Sequence, residues 1–214
     1  KISSETGGVI SAIACDVTDV NQIETTFQKL INDHGRVDIL VNNAGTSSAS
    51  PFDETSDEVW DYDIELKVYG AIRCSRIAVE HMKNQGGGRI VNITTPGGKA
   101  PGPSSVPTSV SRAAGIALTK AMSKDLASDN ILVNTVGVGL IKSGQHRRRW
   151  EKINEQDANV SLDDFYEDMG SRVPMGRVGE AKEVGSVVAF LVSDRGSYVT
   201  GASINVDGGT SPVV

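Results

Sequence analysis

VDILVNNAG, residues 37–45, reads as a strand that runs into a turn of small residues. Its aliphatic core shows no polar alternation, which predicts a strand covered on both faces, as in a parallel sheet. Upstream, residues 18–35 place Val20, Ile23, Phe27, Leu30 and Ile31 at helical spacing. Thr18 or Asp19 can cap that helix and Gly35 can stop it. GVISAIACDV (8–17) is a short β-branched run and is expected to be another buried strand. Downstream, a long helical pattern from Asp57 to about Asn84 carries Val59, Ile64, Val68, Ile72, Val79 and Met82. It stops at Gly86-Gly87-Gly88, after which RIVNITT (89–95) reads as a strand. The loop 96–107 is too rich in Pro and Gly for regular structure. Helix is expected again from near Ser109 to about Ser128, and ILVNTVGVG (131–139) as the next strand. Residues 140–178 read as polar and irregular, with a helix from Leu162. A helix over 180–193 and a strand and turn over ASINVDGG (202–209) complete the pattern. Apolar strands alternating with helices predict an α/β fold: one doubly wound, parallel-sheet domain over residues 1–214.

The composition narrows the partners. The chain has 214 residues, 38% hydrophobic and 22% charged, with a formal net charge of −6. That balance disfavours a nucleic-acid or anionic-membrane partner, since phosphate binding needs a basic face. No apolar run approaches the ~18 residues of a membrane span. Two cysteines, Cys15 and Cys74, make no disulfide framework, and a reduced, cytoplasmic setting is expected. His34, His81 and His146 are isolated, form no metal pattern and are expected at the surface.

Five motifs then fall in one order: NNAG (42–45), IVNITTPGG (90–98), TSVSRAAG (108–115), VNTVGVGLIKS (133–143) and VTGASINVDGG (199–209). Together they resemble the short-chain dehydrogenase/reductase family, over nearly the whole chain from Gly8 onward. The resemblance implies a Rossmann-like sheet, a nicotinamide dinucleotide (NAD or NADP), a small-molecule substrate and a homodimer or homotetramer. It implies cofactor contacts from Asp16, Val17, Asn42, Ala44 and Gly45 near the adenosine. The segment that follows the sixth strand of the family, here Gly139, Ile141 and Ser143, is implied at the nicotinamide. Val138 stands where that segment usually has proline, and Ser143 replaces a threonine. Small side chains there let backbone approach a cofactor closely. The glycine-rich phosphate-binding turn and the second strand of the family have no counterpart in residues 1–214. The reading therefore expects a longer chain, with rearranged pairing and impaired dinucleotide binding as the alternative.

The family's catalytic serine, tyrosine, lysine and asparagine map to Thr95, Thr108, Arg112 and Glu65. Thr95 and Thr108 keep hydroxyls, but an aliphatic alcohol is a far weaker acid than a phenol. Arg112 can hold ribose hydroxyls yet cannot give up its proton. Glu65 is expected to pair with Arg112 across the two long helices, or alternatively to act as a base. Tyr69 and Arg73 share a helix face and read as subunit packing. The run HRRRW (146–150) is either a solvated helix start or, through Arg147–Arg149, a grip on an anionic substrate. Two readings follow: an oxidoreductase with an atypical site, or a member of the same fold that binds a ligand or a subunit without turnover.

Overall fold

The computed structural model describes residues 4, 5, 7–156 and 160–214. Four strands form one sheet in the order β1 (Ile39–Asn42), β2 (Gly88–Thr94), β3 (Ile131–Val138) and β4 (Ser203–Val206). Every neighbouring pair is parallel, with Leu40 beside Ile90, Ile90 beside Val133 and Val136 beside Ile204. Parallel neighbours need helical crossovers, and these supply the two covering layers. The helices are α1 (Val20–His34), α2 (Asp57–Ile64), α3 (Gly70–Asn84), α4 (Thr108–Asp125), α5 (Gly144–Gln156), α6 (Leu162–Ser171) and α7 (Ala181–Val192).

Alternate side chains of the strands feed two cores. Ile90, Ile131 and Val133 point into one, where they meet Ile23 and Phe27 of α1, Ala78 and Met82 of α3, and Leu126 after α4. Val91 and Val136 point into the other, against Leu191, Val184 and Val188 of α7. The expected Rossmann-like α/β architecture is the one observed. Helix α1 is capped by Asp19, whose carboxylate accepts the amides of Asn21 and Gln22. It closes on Gly35 at φ 76°, a conformation that favours glycine.

Three expectations need correction. Residues 8–17 form no strand and lie largely exposed. A strand needs a ladder, and no described strand lies alongside to provide one. β1 is not covered on both faces: Ile39 and Val41 are exposed, because α7 packs chiefly on β2, β3 and β4. Residues 144–156, expected as irregular, form helix α5. Its single apolar edge, Trp150 and Ile153, packs against Phe165, Met169 and Val178, and the Trp150 indole donates to the Val160 carbonyl. Two apolar residues among many charges give too faint a period to read.

The long helix expected over 57–84 is continuous but not uniform. Between α2 and α3, Glu65–Tyr69 make a π turn, and the Gly70 amide bonds back to the Glu65 carbonyl. Asp63 and Met82 are nineteen residues apart and both fully buried. At about 100° per residue an unbroken α-helix would set them roughly 100° apart around its axis. One residue absorbed by the wide turn removes that drift and keeps both on the inner face. Gly70, the first residue after the turn, packs on Val17, where a Cβ would come 3.1 Å from Val17 Cγ2.

Met82 and Gly88 are fitted to each other, since a Cβ at Gly88 would overlap the Met82 thioether. Met82→Ala is expected to cost about 2–5 kcal/mol, the range for emptying a buried site. In urea unfolding, Gly88→Ala should be harmful in the native background and much less so beside Met82→Ala. Additive losses in the double variant would show that the two positions do not share this space.

Candidate active site

In an open parallel sheet, ligands settle beyond the carboxyl ends of the strands. Here a cavity of about 280 Å³ runs beside β1, where Ile23, Phe27, Leu30 and Leu40 line it, and reaches those ends at Asn42, Ala44, Lys67, Thr94, Ser111 and Arg112. β1 delivers Asn42 and the small-residue turn, β2 ends in Thr94, the π turn carries Lys67, and the first turns of α4 bring Ser111 and Arg112. The floor is a chain of hydrogen bonds. Asn42 donates to Ser75 Oγ (3.1 Å) and Asn92 Oδ1 (2.8 Å), Asn92 donates to Thr119 Oγ1, and Thr135 donates to the same hydroxyl. Such a satisfied buried network fixes the strand ends rigidly.

Thr108 opens α4. It is half-buried, and its hydroxyl oxygen accepts from the Ser48 amide (2.9 Å) and from Lys67 Nζ (3.1 Å). Lys67 and Asp63 form a buried ion pair one helical turn apart, with side chains 1% and 0% exposed. The other carboxylate oxygen of Asp63 accepts from Ser111 Oγ at 2.6 Å. Burial pushes the Lys67 ammonium below the usual lysine range. Asp63 opposes that shift, and the charge of Arg112 adds to it. The Arg112 guanidinium donates to the Ile93 carbonyl (2.7 Å) and spreads over Gly45, where a Cβ would come 2.9 Å from its Nη2. Burial lowers its pKa, with Asp63 opposing.

The structure brings Thr108 and Arg112 together beside the cavity, with Asn42, Ala44 and Val17 on its wall and Gly45 under Arg112. Thr95 lies half-buried in extended conformation at the end of β2, its carbonyl accepting from Gly98. Its neighbour Thr94, which the sequence did not single out, is the one that lines the cavity. Asp16 is exposed, and hydrogen bonds from Thr18 hold its carboxylate below the usual range. Gly139, Ile141 and Ser143 stand past β3 and do not line the cavity. Gly139 abuts Asp207, Ile141 is buried against Gly179, and Ser143 Oγ accepts from the His146 amide at the start of α5.

Glu65 is placed elsewhere. It pairs with Arg73 rather than with Arg112, and Arg73 also stacks over the Tyr69 ring at 5.3 Å. The residue that reaches the site from this helix is Lys67, together with Asp63. An Asp-x-x-x-Lys spacing (63, 67) was the available signal, since such pairs meet on a helix. Arg147–Arg149 are exposed on α5, with Arg147 facing Glu151 at 3.6 Å. His34 is exposed as expected, but His81 and His146 are half-buried. Burial lowers the His146 pKa, and Arg149 lowers it further. Among the described residues no group of three or more His, Cys, Asp or Glu could hold a metal, and no helix is long and apolar enough to cross a membrane. Burial raises the Cys74 thiol to about 11, with a further push from Cys15, so it stays protonated near neutrality.

A parallel Rossmann-like sheet with this strand-end site is the frame of a large group of oxidoreductases, and the chain belongs to one family within it, the short-chain dehydrogenases/reductases. Residues 1–211 match the family model described as enoyl-(acyl carrier protein) reductase. The chain is 35% identical over 202 residues to 3-oxoacyl-(acyl-carrier-protein) reductase FabG of Thermotoga maritima, covering 94% of this chain and 77% of the relative. Among solved structures it is similar to L-sorbose reductase from Gluconobacter frateurii complexed with NADPH and L-sorbose. That match has a TM-score of 0.93 and 27% identity, over 100% of this chain and 81% of the other. An NAD+-bound xylitol dehydrogenase matches with a TM-score of 0.83 and 30% identity, over 96% and 81%.

Proposed function

We propose that the chain is a nicotinamide-dependent oxidoreductase working on a carbonyl/alcohol pair through an atypical site. The observation that carries this reading is the Thr108 hydroxyl. Both of its lone pairs accept hydrogen bonds, from Ser48 N–H and from Lys67, so its proton is left to donate. Asp63 Oδ1, at 3.5 Å, is too far to hold that proton firmly. An oriented O–H at the strand ends suits a substrate oxygen.

Residues around the strand-end mouth of the cavity suit a dinucleotide. Thr94 Oγ1 and Arg112 Nε are buried there without a hydrogen-bond partner, which a hydroxyl-rich ligand would satisfy. Asn42, Ala44 and Gly45, with Val17 and Asp16, would lie toward the adenosine, Arg112 would hold ribose hydroxyls, and Gly139, Ile141 and Ser143 would lie toward the carboxamide. When bound, the cofactor supplies or takes a hydride at the substrate carbon. Thr94, whose hydroxyl lines the cavity without a partner, would offer it to the substrate carbonyl in place of Thr95, and Arg112 keeps its charge throughout. Relatives bind NADPH or NAD+, and either nucleotide suits these residues.

The exposed Arg148 and Arg149 suit a carboxylate or acyl-thioester substrate. Val59, Tyr62, Tyr69 and Val110, exposed on the helices that flank the site, suit a second copy of the chain. A second reading, ligand binding without turnover, is favoured by Arg112, whose guanidinium is fixed on the Ile93 carbonyl and cannot release a proton. Fluorescence titration with NADH and NADPH, followed by a panel of aldehydes, ketones and 3-oxoacyl thioesters, separates the two. Binding with turnover is expected. Binding without turnover moves the chain to the second reading, and no binding removes the oxidoreductase.

A further inference from the structure

We infer that Lys67 is a positioning residue that refills the proton of Thr108, so that a buried Asp63–Lys67–Thr108 relay stands in for the phenol this site lacks. The inference rests on the oxidoreductase reading above and supplies its missing acid. The difficulty is chemical: an aliphatic hydroxyl is too weak an acid to leave as a free alkoxide near neutral pH. A threonine can deliver its proton only if another arrives as the first departs. Lys67 is placed to do so, with Nζ 3.1 Å from Thr108 Oγ1 and a side chain 1% exposed, out of competition with water.

The proton balance closes. In the reducing direction the Thr108 O–H bond breaks as the substrate oxygen takes its proton, and an Nζ–H bond of Lys67 breaks as Thr108 Oγ1 takes that one. Threonine ends unchanged, lysine ends neutral, and one proton has reached the alcohol product. The C–H bond is made with the hydride the bound nicotinamide supplies. Lysine then regains a proton from solvent, and oxidation runs the same transfers backwards. Asp63 holds the ammonium on the Thr108 side and is itself held by Ser111. The charged groups that face Lys67 are Asp63 from its own helix and Arg112 from α4. Burial and Arg112 ease proton release, whereas Asp63 restrains it, which moves lysine toward the range where a general acid is effective. The π turn that carries Lys67 adds to the argument, because such turns gather at functional sites.

The test uses the full chain and two readouts. First, lysine side-chain carbons are labelled and titrated by NMR without nucleotide, and the Lys67 signal is assigned by its loss in Lys67→Arg. A midpoint below the ordinary ~10.4 is expected; a midpoint in the ordinary range overturns the relay whatever the enzyme does. Second, carbonyl reduction is followed against pH with whichever of NADH or NADPH binds. The native rate should fall along the Lys67 titration. Lys67→Arg keeps the charge and donors but cannot release a proton, so kcat at saturating nucleotide should drop about 10²–10⁴-fold. A merely structural lysine would be rescued by arginine, and an active Lys67→Arg overturns the relay. If that variant does not fold, native enzyme still decides: its proton inventory in mixed H2O/D2O should bow, as two protons in flight require, and a straight line overturns the relay. A native chain that binds nucleotide yet turns over no carbonyl overturns the oxidoreductase reading, and the relay's task with it.

Discussion

Asp63→Ala is expected to lower stability by about 3–5 kcal/mol, among the largest effects of any single change in this chain. The reason is the partner left behind: Lys67, with its side chain 1% exposed, would keep a largely desolvated charge without its counter-ion. Ser111 would also lose its acceptor. The pH dependence has a definite sign. The folded-state pKa of Lys67 already lies below its unfolded value and would fall further without the carboxylate. A lysine of that kind makes the folded state bind fewer protons, so stability rises with pH between the folded pKa and about 10.4. The loss should therefore be greatest at neutral pH and below, and shrink on approach to pH 10. Replacing both partners, as Asp63→Leu with Lys67→Met, removes the buried charges together and should recover most of the stability. Denaturant unfolding of the two singles and the double measures this directly. A double variant as unstable as Asp63→Ala would mean that packing, and not the stranded charge, sets the cost.

Thr108→Val is expected to reduce carbonyl turnover about 10²–10⁴-fold, the usual cost of losing a positioned proton donor. Valine keeps nearly the same shape, so α4 should still start in the same place. What disappears is one oxygen that serves three neighbours: the Ser48 amide, Lys67 and Asp63. Thr108→Ser keeps that oxygen and should stay within about tenfold of the native rate. Nucleotide binding should be little changed in either variant, because Thr108 does not line the cavity. Equal rates for the valine and serine variants would take the hydroxyl out of the chemistry.

How much of this could be read from the residues differs by element. The α/β alternation was legible because the strands are largely aliphatic runs and α1 and α3 carry clear apolar stripes, whereas α4 buries Ser109, Ser111, Thr119 and Ser123. Asp19 and Gly35 announced the ends of α1 by their own chemistry. The segment 8–17 misled because a β-branched run states a preference, while strand formation depends on what lies beside it. At the site, Thr108 and Arg112 were placed by the family motif at the start of α4, and Arg112 lines the cavity there. Glu65 was placed by the family motif, and its expected pairing with Arg112 is not made: within the wide turn at residues 65–69 it meets Arg73, while Lys67 reaches the site. Thr94 was overlooked because a strand alternates its faces, and the motif alone does not say which of two adjacent threonines looks inward.

That wide turn has one more consequence. It works as a vernier between two scales that would otherwise slip past each other, the polar cluster upstream and the thioether-filled core downstream. A regular helix through these same residues would swing either Asp63 or Met82 toward solvent, whereas a chain one residue shorter in 65–69 would run straight through and keep both inside, eighteen residues apart. The number of residues in this segment thus decides whether a wide turn is needed, independent of which residues they are.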